Sequence, residues 1–128
     1  MGIVLIIGGV YQGKLDYALK RFNAAENDIY RADVHNTDIP NGKKIIYEID
    51  KWILAMIKDG MDVSTNIKEF IAKNINAVVI CNDISCGVVP VDPVLRKWRD
   101  EVGRAMAMLV KDSDEVIRLF CGIPQRIS

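Results

Sequence analysis

The sequence predicts an α/β fold, a mostly parallel sheet of about five strands covered by helices on both faces. Three observations carry that expectation. Short β-branched runs alternate with longer amphipathic stretches, the pattern of strands joined by crossover helices. The first run, 3–7, is apolar at every position, as a strand buried on both faces should be. The chain has 128 residues, 50% of them hydrophobic and 27% charged, which suits one core, so a single domain over 1–128 is expected.

Residues 2–7 form the first expected strand, ended by Gly8 and Gly9. From 13 to about 23 the spacing turns helical and sets Tyr17, Ala18, Arg21 and Phe22 on one face. A short second strand follows at 28–32. Residues 33–42, rich in Asn, Asp, Pro and Gly, form a loop. The third strand is expected at 43–49, with Asp50 capping a helix that carries Ile53, Ala55, Met56 and Ile57 and stops at Gly60. Another helix starts near Ser64 with Ile67, Phe70 and Ile71 on one face, leading to a fourth strand at 77–81. A loop at 82–93 precedes the longest helix, striped by Val94, Leu95, Trp98, Val102, Ala105, Met106 and Leu109. Residues 115–121 supply a fifth strand. Gly122 and Pro124 break it, and 125–128 is a candidate edge strand.

Composition excludes several classes of function. Seventeen basic residues balance seventeen acidic ones, so no global field favours nucleic acid or an anionic membrane as a partner. The longest apolar runs fall far short of the roughly 18 residues of a membrane helix. No secretory leader is recognisable at the start. The three cysteines, Cys81, Cys86 and Cys121, suit a reducing compartment better than a disulfide framework, and a cytoplasmic location is expected.

The chemistry concentrates in the first turn. Residues 8–15 read GGVYQGKL and match the phosphate-loop pattern G-x-x-x-x-G-K-[ST] everywhere except the last position. A buried strand precedes it and a helix follows, so backbone N–H groups from Gly8, Gly9, Val10, Tyr11, Gln12 and Gly13, with the Lys14 ammonium, are expected to surround phosphate. A plain strand-to-helix turn with a solvent-exposed lysine is the competing reading. Leu15 stands where a hydroxyl normally helps hold magnesium.

With this loop, the distal stretch 81–110, CNDISCGVVPVDPVLRKWRDEVGRAMAMLV, resembles the bifunctional adenosylcobinamide kinase and adenosylcobinamide-phosphate guanylyltransferase family of cobalamin biosynthesis. Asn82, Asp83, Gly87, Pro90, Arg96, Arg99, Asp100, Gly103 and Arg104 carry the likeness, and 115–122 resembles that family's last core strand and turn. The resemblance implies a P-loop NTPase-like three-layer sandwich, often a homo-oligomer, that binds GTP or ATP with Mg²⁺ and acts on adenosylcobinamide. It further implies nucleotide contacts at Asp33 and Asp83, and a carboxylate, Glu48 or Asp83, for magnesium or base work.

The chain departs from that family at three places. The loop hydroxyl is Leu15. The segment that carries the family's nucleotide-accepting histidine is short here, leaving His35 as the chain's single histidine. The carboxylate at the end of the third strand falls on Tyr47 if Trp52 sets the register, with Glu48 one residue away on what would be the opposite face, unless a bulge restores its direction. Together these departures favour a second possibility, a catalytically reduced nucleotide-binding or assembly module.

Other residues have ordinary readings beside functional ones. His35 is a candidate nucleophile, or a solvated loop histidine. Asp33 either meets nucleotide or forms a turn. The cysteines are small hydrophobes or a cluster at the strand ends. Arg96, Lys97, Arg99 and Arg104 either meet phosphate or a neighbouring subunit, or face solvent. Trp52 and Trp98 are core or interface anchors.

Overall fold

Strand β1, Ile3–Gly8, lies between two parallel neighbours, β4 (Val78–Asn82) and β5 (Ser113–Phe120), which explains why no polar side chain is tolerated along it. The computed structural model describes residues 2–9, 13–84, 92–120 and 123–127. Among these, six strands form one sheet in the order β2 (Ile29–Arg31), β3 (Ile45–Tyr47), β4, β1, β5 and β6 (Ile123–Arg126). Every pairing is parallel except β5 with β6.

Helix α1, Lys14–Arg21, covers one face, packing Ala18, Leu15 and Phe22 against Ile6, Ile80 and Ile117. Helices α2 (Ile49–Lys58), α3 (Val63–Lys73) and α4 (Pro93–Lys111) cover the other, around Leu5, Val79, Trp52, Phe70 and Leu109. This is the expected three-layer sandwich. Because α1 leaves β1 on one face and α4 leaves the adjacent β4 across the other, the topological switch lies between β1 and β4. Ligands of open α/β sheets bind at such a point, beyond the carboxyl ends of the strands.

The element boundaries differ from expectation in ways that have local causes. Strand β3 ends at Tyr47, not residue 49, because Ile49 already belongs to α2. Strand β2 is shortened by a 3₁₀ turn at Glu26–Asp28, and α1 stops at Arg21. Helix α3 begins at Val63. Asp50 does not cap α2: Glu48 occupies that position and Asp50 turns inward from the first turn. Pro124 does not terminate pairing but lies within β6 opposite Leu119. Ile127 N–H donates inward to Val116 O at 2.8 Å, so Pro124, in the alternate register, places its missing donor on the open edge, where proline is tolerated. Arg21, expected on the packed face of α1, is at its rim, stacking on Phe22 (4.9 Å) and pairing with Glu115 at 2.6 Å.

Gly8 shows how closely β1 and β5 approach at the end that opens into the first turn. A Cβ there would lie 2.6 Å from the Leu119 carbonyl oxygen, a backbone atom that cannot swing aside. The neighbouring strand by itself forbids a side chain here. Gly8→Ala is therefore expected to cost about 1–3 kcal/mol, the usual range for forced overpacking, read as a lower urea midpoint with unchanged m-value.

Candidate active site

The segment from β1 into α1 passes through Gly13, whose φ of 81° is left-handed and suits glycine, and delivers Lys14 as the first helical residue. Lys14 is only 4% exposed, so the reading of a solvated surface lysine does not hold. Its Nζ donates to Gly9 O at 2.5 Å, folding the side chain back over its own loop. Burial lowers the Lys14 pKa below 10.5, against the attraction of Asp50, then Glu48 and Cys81. An ammonium held dry beside carboxylates is a strong electrostatic group, because the surroundings screen it poorly.

Opposite stands the acidic edge. The chain passes from β3 to α2 through a single residue, Glu48, with φ 59° and ψ 55°. A left-handed conformation costs a non-glycine residue about 1–2 kcal/mol. Strain of this kind concentrates at functional positions. It also resolves the register problem: Glu48 lies outside the strand, so alternation does not send its carboxylate to the far face. Tyr47, Glu48 and Asp50 all line one cleft of about 690 Å³ with Lys14, Leu15, Asn82 and Trp98.

Asn82, the last residue of β4 and 5% exposed, binds the two carboxylates together. Its backbone N–H donates to Asp50 Oδ1 at 3.1 Å. Its Nδ2 donates to Glu48 Oε2 at 2.9 Å and to Asp50 Oδ2 at 3.3 Å. Lys51 Nζ donates to Glu48 Oε1 at 2.9 Å. Burial pushes both carboxyls up, but the outcomes differ. For Glu48 the bonds from Lys51 and Asn82 prevail and the pKa falls below 4.5. For Asp50 burial prevails over the Asn82 bonds and the pKa rises above 3.8. Asp50, read from sequence only as a helix cap, is thus a site residue; its one sequence signal was an acid three residues past the end of the third strand.

The tryptophans frame this arrangement. Trp98 Nε1 donates to Asp50 O at 2.8 Å and ties α4 to the start of α2. Trp52, 3% exposed, packs on Phe70 and donates to Thr37 O at 2.9 Å, anchoring the loop after β2.

The remaining expected site residues are dispersed. Asp33 accepts the His35 N–H at 2.9 Å and forms a turn; both side chains are exposed and neither lines the cleft, whereas Val34 between them does. Asp83 N–H donates to Gly8 O at 2.8 Å, and its residue lines a neighbouring cavity rather than the Lys14 cleft. Gly8, Gly9, Gly13 and Lys14 are brought together at the end of β1, while Val10, Tyr11 and Gln12 lie outside the described residues, as do Cys86, Gly87, Pro90, Cys121 and Gly122. Cys81 is fully buried in β4 and burial holds its thiol well above 9.0, so it packs as a hydrophobe.

Among the described residues no group of three or more His, Cys, Asp or Glu is placed to hold a metal alone. Mg²⁺ asks less of a protein, taking one or two carboxylates with phosphate oxygens and water; the Glu48 and Asp50 carboxylates both line the cleft, each oxygen accepting a bond from Asn82 or Lys51.

Residues 43–127 match the family described as cobinamide kinase / cobinamide phosphate guanyltransferase, well over half of the 128-residue chain. The chain belongs to this family. The match takes in the acidic edge, Asn82 and α4, and begins after Gly8, Lys14 and His35. No curated protein matches the chain. No described helix is long and apolar enough to cross a membrane.

Proposed function

We propose that this member of the cobinamide kinase / guanyltransferase family is a nucleotide-dependent phosphotransferase, taking a phosphoryl group from GTP or ATP to the hydroxyl of adenosylcobinamide. The observation that carries the proposal is the convergence of a buried Lys14, the strained Glu48, Asp50 and Asn82 on one cleft at the carboxyl end of the sheet.

On binding, nucleotide phosphates replace Gly9 O as the partner of the Lys14 ammonium, and the loop amides take the remaining phosphate oxygens. Glu48 and Asp50 would hold Mg²⁺, which neutralises charge on the phosphates when bound. The acceptor oxygen forms its bond to the γ-phosphorus as the bond to the bridging oxygen breaks. The hydroxyl proton passes to an oxygen of the transferred phosphoryl group and nucleoside diphosphate leaves, while Glu48, whose low pKa keeps it ionised, stays a carboxylate that would hold the metal. Most of the catalysis is positioning and charge stabilisation rather than covalent chemistry by the protein.

A second reading, a nucleotide-binding module without turnover, is favoured by Leu15 lining the cleft in place of a hydroxyl and by His35 standing outside it. It fits the guanylyl-transfer half of the family's chemistry least well. Incubation with γ-labelled GTP or ATP, Mg²⁺ and adenosylcobinamide separates the two. Label on the acceptor supports the transferase, and saturable nucleotide binding without labelled acceptor supports the module. A cytoplasmic homo-oligomer remains the expected setting for either.

A further inference from the structure

The arginines of the chain divide sharply by partner. Arg21, Arg31 and Arg104 each pair with a glutamate, and Arg96 and Arg126 have interactions of their own. The two that remain, Arg99 and Arg118, have no hydrogen-bond or ion-pair partner among the described residues, and both line the same cavity of about 200 Å³. This cavity lies between α4 and the sheet, walled by Ile7, Val102 and Met106, and is separated from the Lys14 cleft by Asn82 and Ile84, which border both. Gly103 opens onto it, with nothing within 4 Å of where a Cβ would stand.

We propose that this cavity is a second anion site that takes a phosphoryl group, separate from the Lys14 cleft. Each guanidinium can offer a fork of N–H donors suited to phosphate oxygens; Arg99 is half-buried against the apolar wall of Ile7, Val102 and Met106, and Arg118 reaches the cavity from the exposed side. Asp83 also borders the cavity but has an interaction of its own, so an anion there meets two cations against one carboxylate. The proposal does not depend on the transferase reading, since it rests on residues outside the nucleotide cleft.

The test is a titration of the full chain with inorganic phosphate at constant ionic strength, followed by the ¹⁵N–H resonances of the Arg99 and Arg118 side chains. Both are expected to shift saturably in the wild type and in Lys14→Ala. In Arg99→Gln the Arg118 response, and in Arg118→Gln the Arg99 response, should need at least 10-fold more phosphate. Gly103→Leu, which fills the space while keeping both arginines and favouring the helix, should abolish the response. Should Gly103→Leu fail to fold, the two arginine variants decide the matter. A response that does not saturate, that acetate reproduces at equal concentration, that survives the arginine substitutions, or that disappears with Lys14→Ala would overturn the second site.

Discussion

Replacing Lys14 with alanine is expected to weaken GTP or ATP binding by about 100-fold while leaving the fold within about 1 kcal/mol of the wild type. The affinity loss follows from removing hydrogen bonds to charged oxygens, worth about 1.5–3 kcal/mol, where 1.4 kcal/mol is tenfold. The small effect on stability follows from opposing terms. The substitution strips Gly9 O of its donor but also removes an ammonium whose burial opposes folding, as its lowered pKa records. Calorimetric titration paired with urea unfolding reads both quantities. Unchanged affinity would mean that nucleotide does not meet Lys14, and equal loss of affinity and fold would make the lysine structural.

Asn82→Ala is expected to cost about 2 kcal/mol of stability at neutral pH and distinctly less in acid. The variant keeps the backbone donor to Asp50 but loses both Nδ2 bonds, the one to Glu48 and the one to Asp50. Each leaves a partly or fully buried carboxylate short of a donor, a loss of about 1–3 kcal/mol. The pH dependence has a definite direction. The depressed Glu48 pKa contributes stability that is present above the unfolded value and is lost as pH falls through the folded one below 4.5. The raised Asp50 pKa contributes stability that is full below the unfolded value and is lost as pH rises through the folded one above 3.8. Removing Nδ2 weakens the first contribution and deepens the second penalty, so the deficit is largest near pH 7 and narrows on acidification through this window. Urea midpoints from pH 3.5 to 7.5 for both proteins test it; a deficit independent of pH would mean that Asn82 acts by packing alone.

The fold was legible because its signals are local. β1 is apolar throughout, the helices carry a 3.6-residue stripe, and the Gly8 and Gly13 spacing marks a strand-to-helix turn. The distal motif was legible as well, and the family match over residues 43–127 covers Asn82 through Arg104. What local pattern hid was the acidic edge. A one-residue, left-handed passage at Glu48 has no propensity signature, since glutamate rarely adopts it, and strand alternation therefore sent the carboxylate to the wrong face. Asp50 matched a cap by type and position, and only the long-range bonds from Asn82 reveal its inward orientation. Likewise Asp50 and Glu48, the carboxylates that neighbour the buried Lys14, are more than thirty residues away in sequence and are brought to it by the tertiary fold, which local spacing does not encode.

Nucleotide phosphate is expected to enter the first turn against the acidic edge. A crystal structure of the chain with a non-hydrolysable GTP analogue and Mg²⁺ tests this most directly. The expected result is Lys14 Nζ released from Gly9 O and bonded to phosphate oxygens, with Glu48 and Asp50 facing the metal. Lys14 still bonded to Gly9 O, with the nucleotide bound elsewhere or not at all, would contradict it.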